Sequence, residues 1–264
     1  MKNQNNKRVV AIIPARMAAS RFPGKPLAKI LDLPMIEHVR RRVCLSESID
    51  DVYVATCDRD IFDTVEHFGG KAVMTKDTHE RCTDRVEEAA RGIDLDIAVV
   101  VQGDEPLFMP EVLSELVSPL LSDDSIPCTN LISTIRKKED LDDVDIVKAV
   151  LDERGFIMYF SRAHIPYLRV KGNCPVYRQT GISAFTKSFL RTYPELSETS
   201  LEVVESVDFL RILGHGYPIK GVVYESVTLG VDRPDDVRKI EAVLCEDKEQ
   251  KRIYNRICFE NRKL

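Results

Sequence analysis

From residue 8 to about residue 120 the chain alternates short apolar runs with amphipathic stretches, and this alternation limits the folds open to it. Arg8 to Pro14, Asp51 to Thr56, Lys71 to Thr75 and Ile97 to Val101 are rich in Val and Ile, the pattern of strands covered on both faces of a parallel sheet. Pro34 to Glu47, Arg59 to Phe68, Thr83 to Gly92 and Pro110 to Leu121 have helical spacing, with Pro34 and Pro110 where a first helical turn tolerates proline. Repeated βα units of this kind predict an α/β fold on a doubly wound, mostly parallel sheet. After Asp124 the pattern is mixed. Strands are expected at Thr129 to Ile135, Ile146 to Leu151, Gly181 to Thr186 and Lys220 to Tyr224, and helices at Lys187 to Tyr193, Ser200 to Leu213 and Pro234 to Cys245. With no linker or internal repeat, the economical reading is one domain, 1–264, that carries a smaller mixed α/β lobe.

Composition narrows the function. The 264 residues, 44% of them hydrophobic, can bury a sizeable core. The 38 basic and 43 acidic side chains leave a formal charge of −5, so no global positive field recruits nucleic acid, and an anionic ligand must be met by a local basic cluster. No apolar run approaches the roughly 18 residues of a membrane span. The opening Met1 to Arg8 leads into a strand rather than a cleavable signal, so the expectation is a cytoplasmic protein without a membrane partner. Seven cysteines without a CxxC pair indicate neither a zinc site nor a disulfide framework.

The local basic cluster follows the first strand. The stretch from Pro14 and Ala15 to Pro26 places Arg16, Arg21 and Lys25 within ten residues of a small-residue loop. Ligands of open α/β sheets gather outside the carboxyl ends of strands, where this loop lies. A nucleoside triphosphate brings about four negative charges, and charge-assisted bonds from Arg and Lys can neutralise a departing pyrophosphate. Gly24-Lys25 is followed by Pro26 rather than Ser or Thr, which disfavours a P-loop ATPase. A solvated basic turn is the competing reading.

The loop resembles the opening motif of the 3-deoxy-manno-octulosonate cytidylyltransferases, which make CMP-activated octulosonate for lipopolysaccharide, and the resemblance runs from about Val9 to Ile240. It implies a nucleotide-diphospho-sugar transferase-like fold and transfer of CMP from CTP to the anomeric hydroxyl of an acid sugar, with release of pyrophosphate. It also implies a Mg2+ cofactor and a homodimer. On this reading residues up to about 125 bind the nucleotide, about 126–225 form the acid-sugar-binding and dimerisation lobe, and about 226–264 bring a metal aspartate and a C-terminal helix. The run of helix and charge after Cys245, which ends in Asn261 to Leu264, has no assigned role and is expected to be a solvated terminal helix. Cys82-Thr83-Asp84-Arg85 falls where the family has Ser-Gly-Thr-Glu/Asp-Arg, so Thr83 and Arg85 are nucleotide-binding candidates and Cys82 replaces a glycine.

Two further stretches match. Gln102-Gly103-Asp104-Glu105-Pro106 resembles the family's VQGDEP, and Gly230-Val231-Asp232-Arg233-Pro234 its GVDTP. The resemblance makes Gln102 a nucleotide and substrate contact, and Asp104 and Asp232 the magnesium carboxylates. One or two carboxylates completed by phosphates and water suit that ion. Arg16, Lys25 and Asp104 are the catalytic candidates. Helix N-caps remain an alternative for both aspartates.

On the acid-sugar side the match weakens. Lys148 and Arg162 lie in segments resembling AVKVV and LYFSRAxIP and are candidate carboxylate or phosphate contacts, with structural ion pairs the alternative. His164 is read as ordinary surface or packing. Gln179 and Ser183 replace the His and Tyr of a family motif that reaches the sugar, and Asp208 and Phe209 replace a Glu and a Gln. Four changes together imply a modified acceptor, such as an amino-deoxy ulosonate, a nonulosonate or a phosphonate, unless they are drift. A nucleotide-binding paralogue without turnover is the reading from another class.

Overall fold

A computed structural model describes residues 7–18, 21–79, 81–170, 174–225 and 230–259. The chain divides into two compact units, 1–114 with 228–264, and 115–227. In chain order the elements are β1 (Val9–Ala15), a two-residue ladder of β2 (Lys29–Ile30) and β3 (Leu33–Pro34), α1 (Met35–Cys44), β4 (Asp51–Thr56), α2 (Arg59–His67), β5 (Lys71–Met74), α3 (Cys82–Ala90) and β6 (Ile97–Val101). They continue with α4 (Val112–Ser122), β7 (Cys128–Thr134), α5 (Lys138–Asp142), β8 (Lys148–Leu151), β9 (Ile157–Ser161), β10 (Tyr177–Thr186), α6 (Lys187–Thr192), α7 (Ser200–Glu205), α8 (Phe209–Gly214), β11 (Ile219–Tyr224), α9 (Pro234–Glu246) and α10 (Lys248–Phe259).

In the first unit β4, β6 and β1 run parallel, with β1 between the other two, and β5 pairs parallel to β4. The chain steps from β1 outward to β4 and β5, then returns to the other side of β1 for β6. A reversal of this kind is the switch point of a doubly wound sheet, and it opens a crevice beyond the carboxyl ends of β1 and β6. The central strands are apolar throughout because both faces are covered: every residue from Val9 to Ile13 is fully buried, and so, within 2%, is every residue from Ile97 to Val101.

In the second unit β10 pairs antiparallel with β7 and β8, β8 with β9 antiparallel, and β11 with β7 parallel. Strand β9 and helix α5 have no counterpart in the sequence reading, and β10 begins at Tyr177 rather than Gly181. The helix expected over Ser200 to Leu213 is two helices. Ser206 takes a left-handed conformation (φ 52°) that ends α7, and a bidentate pair from Arg211 in α8 to Glu202 in α7 (2.7 and 2.8 Å) locks the break.

The end of the chain also departs from expectation. Helix α10 is packed rather than solvated: Ile253 and Ile257 are buried, Gln250 donates to the Leu107 carbonyl (2.8 Å), and Arg41 of α1 donates to the Ile257 carbonyl (2.9 Å). Apolar residues on one stripe of an otherwise charged helix make this possible, because the charged positions stay at the surface. The run 261–264 lies outside the described residues. Among the described residues no helix is long and apolar enough to cross a membrane.

Candidate active site

The loop after β1 is closed by its own backbone. Gly24, at φ 75°, donates its N–H to the Met17 carbonyl (3.0 Å), a conformation that L side chains resist. The Met17 N–H in turn donates to Asp58, the residue just before α2 (2.8 Å). A short 3-10 turn at Lys25–Leu27 then aims the Lys25 side chain back toward the strand ends. After β6, Gly103 passes so close to β1 that a Cβ there would lie 3.2 Å from the Pro14 carbonyl oxygen. The absence of a side chain lets the two strand ends approach and sets Asp104 beside the loop.

Three segments distant in sequence meet at the Lys25 ammonium. It donates to Asp104 Oδ2 (2.6 Å) and to the Val231 carbonyl (2.8 Å), and it lies 4.0 Å from Asp232 Oδ1. The Val231 N–H donates to the Asp104 carbonyl (2.9 Å), so the backbone preceding Asp232 is clamped from both sides. Arg21 pairs with Asp232 (3.1 Å), and both are half-exposed. Behind them Asp236 accepts the N–H groups of Asp232 (3.1 Å) and Arg233 (2.9 Å) and an ammonium hydrogen of Lys239 (2.8 Å). Partial burial opposes ionisation of Asp236, yet these donors hold its carboxyl below the ordinary value. It is Asp236 that accepts the N–H groups at the start of α9, which leaves the Asp232 carboxylate turned to Arg21 and Lys25 rather than used as the helix cap.

Arg21, Lys25, Asp104 and Asp232 line a cavity of about 340 Å³, together with Pro14, Ala15, Arg16, Arg85 and Gln102. Arg16 is exposed and, among the described residues, has no ion pair. Arg85 is buried, with its guanidinium on the Thr75 hydroxyl (2.5 Å) and the Lys76 carbonyl (3.2 Å), so it braces the wall. Thr83 is buried beside the cavity's Cys82 rather than part of the lining. The Gln102 side-chain amide donates to Cys82 Sγ (3.0 Å). Sequence reasoning passed over two members of the lining, His79 and Arg81. His79 hydrogen-bonds Glu88; burial pushes that carboxyl up, but the His79 contact and the Lys76 N–H hold it below its usual range. The ring also had no motif around it to mark it.

Two carboxylates and no third protein ligand fit a hard cation that takes its remaining ligands from phosphate and water. Among the described residues no group of three or more His, Cys, Asp or Glu side chains is arranged to hold a metal by itself.

The acid-sugar candidates lie in the second unit and are differently engaged. Lys148 is fully buried, with its ammonium on the Asp143 (2.6 Å) and Arg162 (2.8 Å) carbonyls. Burial pushes that ammonium below the ordinary lysine value despite the nearby Asp143 and Asp142. Arg162 donates to the carbonyls of Glu205 (2.7 Å) and Val144 (2.8 Å). Phe209 is buried between Phe160 and Phe185, at ring separations of 6.0 and 5.9 Å, and Ser183 is buried as well. Gln179 and Asp208 are half-buried.

Comparison with known proteins gives the family. The family model described as cytidylyltransferase matches residues 10–254. A 3-deoxy-manno-octulosonate cytidylyltransferase of Syntrophus aciditrophicus (strain SB) is 42% identical over 243 residues, 90% of this chain and 98% of that protein. An 8-amino-3,8-dideoxy-manno-octulosonate cytidylyltransferase of Shewanella sp. (strain W3-18-1) is 41% identical over 237 residues, 88% of this chain and 97% of that one. The solved structure of a CMP:2-keto-3-deoxy-manno-octonic acid synthetase complexed with CTP superposes with a TM-score of 0.87 at 34% identity, covering 91% of this chain and 99% of that one. The chain belongs to the cytidylyltransferase family.

Proposed function

We propose that the chain transfers CMP from CTP to the anomeric hydroxyl of an octulosonate-type acid sugar and releases pyrophosphate. The observation that carries this reading is the meeting of Asp104 and Asp232 at one ammonium, Lys25, in a cavity rimmed by Arg16 and Arg21. The names of the relatives supply the nucleotide and the sugar class. Mg2+ suits the two carboxylates, and when bound it would blunt the charge of the α-phosphate during attack by the hydroxyl. Arg16, Arg21 and Lys25 stabilise the charge that develops on the leaving pyrophosphate, and the clamp on Val231 keeps Asp232 in place. No protein nucleophile is required. Release of pyrophosphate with CTP, Mg2+ and a panel of acid sugars tests the proposal. CTP binding without release for any sugar would favour the paralogue that lacks turnover.

The acceptor reading is a modified octulosonate. The changes at half-buried Gln179 and Asp208 support it, as does the similarity to a relative named for an 8-amino sugar. Half-buried Gln179 and Asp208 are the positions best able to discriminate. We also propose a homodimer, supported by exposed apolar side chains on the second unit: Val144, Tyr167, Val170 and Val204 are 65, 87, 77 and 84% exposed. Light scattering at micromolar concentration tests it.

A further inference from the structure

The cavity holds one cation that neither the family motif nor the mechanism above uses. Arg81 lies in its lining with Arg16 and Lys25. Its Nε is buried without a hydrogen-bond partner among the described residues, and no ion pair of Arg81 occurs among them. The other cations of the lining are engaged, Lys25 with Asp104, Arg21 with Asp232 and Arg85 with the wall, and Arg16 is exposed to solvent.

Arg81 also occupies a position where arginine works against the fold. It is the N-cap of α3, with extended backbone (φ −101°, ψ 146°) and no side-chain cap bond. N-caps favour Ser, Thr, Asp or Asn, whose oxygens accept the first free N–H groups of the helix, and a cation there opposes the helix dipole. The resembled motif has serine at this place. The chain therefore gives up a cap and carries an unpaired guanidinium beside an anion-binding loop.

From this, and resting on the cytidylyltransferase reading, we infer that Arg81 is an additional phosphate-binding residue, whose guanidinium takes triphosphate oxygens of the nucleotide from the α3 side of the cavity. Its planar array of donors suits phosphate, and its unpaired state means that no internal bond has to break.

The test compares the full-length protein with its Arg81→Ser and Arg81→Lys variants, using calorimetric binding of CTP and of cytidine and thermal unfolding without ligand. Arg81→Ser is expected to weaken CTP binding roughly tenfold to a hundredfold, as for loss of one charge-assisted bond. Cytidine binding stays unchanged, and the unfolding midpoint rises by about 2 °C as the cap is restored. Arg81→Lys retains part of the CTP affinity. Equal CTP affinity in wild type and Arg81→Ser, a matching loss for cytidine, or a lower unfolding midpoint overturns the inference while leaving the proposed function standing. A wild type that binds no CTP overturns both.

Discussion

Lys25 and Lys148 each sit in a motif resembling the same family, yet the two units use them in opposite ways. In the first unit the Lys25 ammonium reaches a cavity and meets two carboxylates that are themselves 34 and 52% exposed. In the second the Lys148 ammonium is sealed against two backbone carbonyls, and Arg162 is fixed on carbonyls in the same way. A cation whose partners can exchange it for another charge is free to act on a ligand. A cation held on backbone carbonyls is a structural element, because removing it leaves those acceptors without their partner.

The largest expected effect tests the structural half of this contrast. Lys148→Ala should cost roughly 3 to 5 kcal/mol in urea unfolding, from two stranded carbonyls and the cavity left behind. Arg16→Ala, at an exposed position, should change stability by no more than about 0.5 kcal/mol while weakening use of CTP. Equal stability losses for the two would end the distinction.

Next in size is the pair of carboxylates proposed to hold the metal. Asp104→Asn and Asp232→Asn should each lower turnover by at least about a hundredfold with the unfolding midpoint unchanged, because on the proposed mechanism each removes a charge that faces the transition state. Ordinary activity in either variant removes that residue from the metal site. A smaller loss is expected for Lys25→Ala, about tenfold or more in the use of CTP and less in that of the acid sugar. Since Lys25 also holds the Val231 carbonyl, an equal loss for both substrates would indicate that this ammonium acts by positioning Asp232 rather than on the triphosphate.

How much of this could be read from the sequence followed from where the physics is local. The strands of the first unit were legible because residues 9–13 and 97–101 are buried on both faces, which leaves an unbroken apolar run. The break at Ser206 was not, since a left-handed serine has no pattern of its own and Val207 continues the apolar spacing that suggests one helix. The contact of Asp104 and Asp232 with one lysine is long-range and was reachable only by resemblance. Arg81 was passed over because an arginine at a helix start looks like surface until the cavity is seen. Phe209 showed its limits from the other side: an aromatic replacing a polar residue suggests a changed pocket, but in the fold it completes a cluster with Phe160 and Phe185.

That last point reshapes the smallest expected effect, the one on acceptor choice. Phe209→Gln would put an amide into an aromatic cluster, and Ser183→Tyr would force a large ring into a position 4% exposed, so both would disturb folding whatever the sugar. Gln179→His combined with Asp208→Glu changes only the half-buried positions. Each polar partner offered to a sugar hydroxyl is worth roughly 1 to 3 kcal/mol, but half-burial and coupling between sites reduce the sum. The wild type should therefore prefer an octulosonate altered away from its anomeric end over the plain sugar, and the double variant should move that preference about tenfold toward the plain sugar. Competition between plain 3-deoxy-manno-octulosonate and its 8-amino analogue, read as the ratio of kcat/KM values, makes the measurement independent of enzyme concentration. A wild type that treats the two alike, with a double variant that does the same, would mean that the changes at these positions are drift and that the second unit leaves acceptor choice untouched.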